Sequence, residues 1–186
     1  MIWPDSVVVG FRRALRAKSS VNAPAWWFAA YTNLIYHLLP CSRFTIRRPE
    51  TITQRRRRSR DFKEWGWIGE IVTLDRPPNA HLPVLLLQVR QPEALVSLRQ
   101  QVEADRSMRK YMWAAAKKCP NRQLHGICAM GDKIRLYSLS VHDPNVDISP
   151  PRITTEGDTL AGDRWSLELL SDEAKSKLHR VVNDIY

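Results

Sequence analysis

The stretch VLLLQVRQPEALVSLRQQVEADRSMRKYMWAAAKKC, residues 84–119, decides the fold. Its first six residues, Val84–Val89, are a near-continuous apolar run, the mark of a strand buried on both faces. From Glu93 to Cys119 the pattern changes to a long helix. Leu95, Leu98, Val102, Met108, Met112 and Ala116 form a rough stripe with many charges opposite, and Pro120 stops it. Beyond lie two strand patterns, Leu124–Met130 and Lys133–Leu139, joined at Gly131-Asp132, a strong hairpin signal.

Upstream, Ala23–Leu39 reads as a helix. Its apolar residues recur near a period of 3.6, Pro24 occupies a tolerated first-turn position, and Pro40 ends it. At least one of Trp26 and Trp27 belongs to the core. Phe44–Ile46 is a short strand, and Trp67–Leu74 is a strand followed by a proline-rich turn. Downstream, His142–Asp163 reads as a loop and Trp165–Leu170 as a short edge strand. Ser171–Tyr186 is a helix with Ser171 as N-cap and Asp172 and Glu173 in its first turn. Trp113 is expected in the core. The order α-β-β-α-β-β-α gives an α/β sandwich with a mixed central sheet flanked by helices.

With 186 residues, the chain is expected to hold an N-terminal arm at 1–22 and one α/β domain at 23–186. A hydrophobic content of 44% and a charged content of 26% exclude wholesale disorder. No run approaches the roughly 18 apolar residues of a membrane span. Met1–Ser20 carries its arginines after its apolar residues, unlike a secretory signal, although they admit a transit-peptide reading. Cys41, Cys119 and Cys128 are odd in number and widely spaced, which suits a reducing compartment. A cytosolic location is expected.

The formal charge is +10, and its excess is clustered. Arg47, Arg48, Arg55, Arg56, Arg57, Arg58 and Arg60 fall within fourteen residues, with Glu50 the only acid among them. So many guanidiniums repel one another unless a polyanion is near. The planar fork of arginine grips phosphate in bidentate fashion. The tract is therefore read as RNA-binding, the plainer alternative being a solvated loop. No zinc-finger spacing, heptad or RNP-type motif accompanies it, which favours recognition of structured RNA by shape and backbone. The spacing of Cys119, His125 and Cys128 is weak for zinc and lacks a fourth ligand, so no metal is expected.

A helix, a strand bearing Glu70, and then a buried strand ending in Gln88-Val89-Arg90 before a long helix form an order similar to the core of the PD-(D/E)XK nuclease superfamily. There an acidic strand residue and a (D/E)-x-K triplet build a magnesium site. More narrowly, the chain from Gln88 onward resembles a group of small fungal proteins with a nuclease-like core. The matching features are Ala104-Asp105-Arg106-Ser107-Met108-Arg109, Leu124-His125-Gly126-Ile127, Gly131, Tyr137, Asp163-Arg164-Trp165 and Val181-Val182-Asn183-Asp184. The triplet departs from the nuclease pattern. Magnesium needs hard oxygen ligands, whereas Gln88 offers a neutral carbonyl and Arg90 stays protonated. The first helix offers Asn33, and no acid between Tyr31 and Leu39, where nucleases often add a carboxylate.

Some members of the fungal group are arginine-containing cyclodipeptide synthases, which join aminoacyl groups from charged tRNAs into a diketopiperazine without cofactor or metal. The resemblance implies aminoacylated tRNA as partner, arginyl-tRNA and a second charged tRNA. It implies that the Arg47–Arg60 tract holds the acceptor stem. Glu70 pairs with the arginyl guanidinium or acts as the base. Gln88 and Arg90 hold the ester carbonyl or the terminal ribose-phosphate. Trp65, Trp67 and Trp165 stack on the terminal adenine or wall a second pocket, and His125 and Tyr137 complete the substrate-binding set. The alternatives are a non-catalytic RNA- or protein-binding module on a decayed nuclease fold and an active magnesium-dependent nuclease.

Overall fold

A computed structural model describes residues 3–17, 23–39, 42, 44–47, 71–75, 82–143, 146–153 and 164–186. The strand decided by the apolar run is Pro83–Arg90, buried along its whole length. In chain order the elements are α1 (Asp5–Arg16), α2 (Ala23–Leu38), β1 (Thr45–Arg47), β2 (Ile71–Asp75), β3 (Pro83–Arg90), a 3-10 turn (Pro92–Val96), α3 (Leu98–Ala116), β4 (Gln123–Met130), β5 (Lys133–Ser140), β6 (Leu167–Glu168) and α4 (Asp172–Ile185). The six strands lie side by side in sequence order. Only the β3–β4 pair is parallel, linked through α3, and every other pair is antiparallel. The chain is thus α/β with a mixed sheet.

Alternation along the strands divides the interior into two layers. Leu85, Leu87 and Val89 of β3 join Ile127, Ala129 and Ile134 on one face, under α1, α2 and α4. Leu86 joins Leu124, Cys128, Met130, Tyr137 and Leu139 on the other, under α3 and Trp165. Helix α4 meets its face through Ala174, Leu178, Val181 and Ile185, an amphipathic stripe. Ser171 caps it as expected, its Oγ accepting from Ala174 N at 3.1 Å.

Three expectations are corrected. The long helix from Glu93 is interrupted. Pro92 opens a separate 3-10 turn, and Ser97 then caps α3, accepting from Gln100 N at 3.3 Å. A side-chain oxygen that satisfies a free first-turn amide starts a new helix more readily than it continues an old one. Trp113 is 45% exposed, because the inward stripe of α3 is Ala104, Met108 and Met112. The strand expected over Trp165–Leu170 is only Leu167–Glu168, since Trp165 turns inward and donates its indole N–H to Cys128 O at 3.1 Å. Of the tryptophan pair, Trp27 is buried and Trp26 exposed.

The stretch read as an arm supplies α1 to the core. Val7, Phe11 and Ala14 are buried on one face, spaced for a helix in contact with its neighbours. Phe11 meets Tyr31 edge to face at 4.9 Å between centroids, and Lys175 of α4 lies 5.0 Å over the Trp3 ring.

Two glycines permit close approach. A Cβ at Gly126 would fall 3.0 Å from Met108 Sδ and 3.2 Å from Met112 Sδ, so this glycine lets α3 press onto β4. Gly131 turns β4 into β5 at φ +63°, and a Cβ there would stand 2.7 Å from Pro92 Cβ.

Phe11→Ala is expected to lower unfolding stability by about 3–5 kcal/mol through the cavity it leaves. Urea denaturation checks this. An unchanged midpoint would mean that α1 does not belong to the cooperative core.

Candidate functional site

The α3 face of the sheet carries charge where the opposite face is almost wholly apolar. Asp105, one helical position from the Met108 stripe, is 1% exposed. Its carboxylate accepts from Arg109 Nε at 2.9 Å, Tyr137 OH at 3.0 Å and the Ile153 amide at 3.3 Å. Arg135 Nη2 lies 3.9 Å from Asp105 Oδ1. One buried anion therefore serves two guanidiniums, which is the arrangement under which buried charges are tolerated.

The two arginines also hold the segment 146–153. Arg109 donates to Ile148 O at 2.9 Å and to Pro150 O, and Arg135 Nη2 donates to Pro151 O at 2.9 Å. Ser138 and Ser149 exchange backbone hydrogen bonds at 2.9 Å, extending the β5 edge. The guanidinium of Arg135 stands 5.4 Å from the ring centres of both Tyr137 and Trp165.

Next to this cluster lie the residues singled out at the end of β3. Register places Gln88, Cys128 and Arg135 in one row across β3, β4 and β5. Cys128 Sγ donates to Gln88 Oε1 at 3.3 Å. Burial pushes the Cys128 thiol up to about 12, and the nearby Arg90 and Arg135 only partly oppose it, so it stays neutral at physiological pH. The Tyr137 hydroxyl is likewise held well above its ordinary value, first by burial and then by Cys128 and Asp105. Arg90, two residues beyond Gln88 and 6% exposed, shares this face.

The turn following β4 ties the two layers together. Gly131 N donates to Arg90 O at 3.1 Å, and Tyr31 of α2 donates its hydroxyl to Gly131 O at 2.8 Å. Helix α2 thus contributes a buried tyrosine to this turn, while Asn33 is exposed.

The structure brings together Gln88, Arg90, Tyr137 and Trp165. It separates His125 from them. His125 is an odd-numbered residue of β4 and faces α4, so it stands on the opposite side of the sheet from Cys128. Its Nε2 lies 3.4 Å from Asp184 Oδ2 without hydrogen-bond alignment. Burial lowers its pKa below the ordinary 6.5, and Asp184 pulls more weakly upward. His125 therefore does not wall the same site as Tyr137 and Trp165, whose own side chains are buried. Glu70, Trp65, Trp67, Arg48, Arg55, Arg56, Arg57, Arg58 and Arg60 lie outside the described residues. Arg47 ends β1, with its side chain also outside them.

Asp105, Arg109 and Arg135 were given no role by the sequence reading. The signal for them was charge in the wrong place. Asp105 and Arg109 sit four apart beside a Met stripe, and Arg135 interrupts a strand whose neighbours alternate apolar on both faces.

No family model matches this sequence, and neither does any curated protein or solved structure. Among the described residues no helix is long and apolar enough to cross a membrane, and no three His, Cys, Asp or Glu side chains gather as metal ligands.

Asp105→Asn is expected to cost about 3–5 kcal/mol, because it strands buried guanidiniums. Glu168→Ala, which breaks an exposed 3.4 Å ion pair with Lys133, is expected to cost less than about 1 kcal/mol. Urea titrations of both variants check the contrast, and equal losses would deny the carboxylate its central place. His125 gives a pH signature. With its folded pKa below 6.5, the unfolded chain binds the extra proton as pH falls, so folded stability is full above 6.5 and declines as pH drops toward the folded value. His125→Gln is expected to flatten that decline in denaturation midpoints between about pH 7.5 and 5.

Proposed function

We propose that this chain is a tRNA-dependent cyclodipeptide synthase, condensing an arginyl group with a second aminoacyl group on a nuclease-like scaffold. The resemblance carries the activity. The observation that best supports it is the chemistry at the end of β3. There the nuclease triplet is replaced by Gln88 and Arg90, buried on a face that also holds Arg109 and Arg135. Gln88 Oε1 is already taken by the Cys128 thiol. This face offers hydrogen-bond donors and positive charge, which suit a carbonyl oxygen or a phosphate better than a divalent cation.

The element order supports the nuclease-like reading of the fold. A helix precedes antiparallel β2 and β3, and a crossover helix leads to the parallel β4.

The chemistry needs no external activation, since the aminoacyl ester is the activated group. The α-amine of one aminoacyl-tRNA attacks the ester carbonyl of the other, and the freed tRNA 3′-hydroxyl takes up a proton. The remaining free amine then closes onto the second ester carbonyl, releasing the second tRNA and the diketopiperazine. Gln88 and Arg90 donate to the oxyanion that develops at the attacked carbonyl. Glu70 binds the arginyl side chain or accepts the proton of the amine. The arginine tract at 47–60 holds the acceptor stem.

One observation favours the rival binding module. Trp165 and Tyr137 are consumed by internal contacts, the first bonded to Cys128 O and the second to Asp105. In that reading the cluster is scaffold alone.

Expression in a bacterial host is expected to release an arginine-containing cyclic dipeptide into the medium, detected by mass spectrometry. Nuclease digestion of tRNA in an extract is expected to abolish it. Arg90→Gln is expected to reduce product by about 10- to 100-fold, the worth of one charged hydrogen bond. RNA binding without product would establish the module instead. Undiminished product from Glu70→Ala would displace Glu70 from the site.

A further inference from the structure

Helix α3 turns its apolar stripe to the sheet and a second stripe to solvent. Arg106, Lys110, Trp113 and Lys117 are all exposed and recur at i, i+4, i+7 and i+11, the spacing of one helical face. Lys118 follows at the end of the helix, also exposed. By helix geometry the row from Arg106 to Lys117 runs about 16 Å.

A solvated helix face ordinarily mixes its charges, with acids and cations paired three or four residues apart. This one does not. Among the described residues Arg106, Lys110, Lys117 and Lys118 pair with no carboxylate, whereas Lys133 and Lys177 each do. Glu103 stands on the same side of the helix toward its N-terminal end, a single acid against these cations, and Asp147 on the flank is engaged by Arg109 at 3.8 Å. The two lysines at the C-terminal end also suit the negative end of the helix dipole. Arg106 and Lys110 sit mid-helix, where that explanation does not reach, and as like charges one turn apart they oppose helix formation. Trp113 is the second anomaly. Its ring is left 45% exposed between Lys110 and Lys117 and belongs to neither apolar cluster.

We propose that the outer side of α3 is a binding surface for an unpaired nucleic-acid strand. Its phosphates meet Arg106, Lys110, Lys117 and Lys118, and one base stacks on the exposed part of the Trp113 ring. Cations interleaved with an aromatic ring suit a single strand, because every base carries a π-face and every link a charge. A duplex keeps its bases inside the stack and leaves the ring unused. An anionic bilayer rewards a broad apolar face, whereas here a single ring lies between charges. The surface is on the other side of α3 from Gln88 and Arg90, and it does not rest on the activity proposed above.

Fluorescence anisotropy of a short labelled oligouridylate, titrated with the full chain over a range of salt, tests this. Lys110→Gln is expected to flatten the log–log salt dependence by about 0.7, the share of one phosphate contact on a single strand, and Arg106→Gln with Lys110→Gln by about twice that. Trp113→Ala is expected to weaken binding about tenfold with the slope unchanged. Arg12→Gln, which removes an equal charge from the exposed side of α1 on the opposite layer, is expected to leave the slope unchanged. Should Trp113→Ala fail to fold, the double variant, altered only at exposed charges, carries the test. Slopes unchanged in the Lys110 and double variants, an equal fall from Arg12→Gln, or full affinity in Trp113→Ala would overturn the proposal. So would the same losses with duplex RNA or phosphatidylserine vesicles in place of the strand.

Discussion

The carboxylate of Asp105 is the point on which one half of this molecule hangs. It sits on α3 with almost no exposure and accepts from a helix residue, a strand residue and the backbone of the 146–153 segment. A buried charge without such partners would neutralise itself or expel the segment that carries it. Here its presence allows Arg109 and Arg135 to be buried as well, and those guanidiniums then fix the carbonyls of Ile148, Pro150 and Pro151. The order of the segment 146–153 is thus an electrostatic consequence of one acid on a neighbouring helix.

The opposite layer makes this arrangement affordable. Between the sheet and α1, α2 and α4 the packing is a continuous apolar cluster extending from Trp3 to Ile185. Its burial supplies stability that does not depend on the charged face. The two layers communicate at Gly131, where Tyr31 reaches through from α2 and the backbone of Arg90 is held in turn. These two hydrogen bonds join α2 to the end of β3, where Gln88 and Arg90 lie.

Much of the fold was legible because it rests on short-range patterns. The run at Val84–Val89, the Gly131-Asp132 turn and the Ser171 cap each declare themselves within a few residues. The break at Ser97 was hidden because the apolar stripe continues past it, from Leu95 to Leu98, although Val96 between them is 92% exposed. The contribution of α1 was masked by Arg12, Arg13 and Arg16, which suggest an arm. Yet Val7, Phe11 and Ala14 keep helical spacing on the other side. The site was half legible. Gln88 and Arg90 stand out as polar residues closing an apolar strand, and period two puts them on one face. The placement of His125 on the reverse face follows from the same parity rule, which a search by residue type overlooks. Arg135 and Asp105 meet only in three dimensions.

The charge on the α3 face also bears on what the scaffold can do. A cleft built from carboxylates attracts a metal ion and needs that ion to approach a phosphate. A cleft built from guanidiniums and an amide meets phosphate or carbonyl oxygen directly. Gln88 and Arg90 by themselves give this face one amide and one guanidinium. Arg135 and Arg109 add two further guanidiniums to this face, where Asp105 and, beside Arg109, Asp147 balance them. The buried acid is thus better understood as the counterweight that permits an arginine-lined surface than as a ligand in its own right.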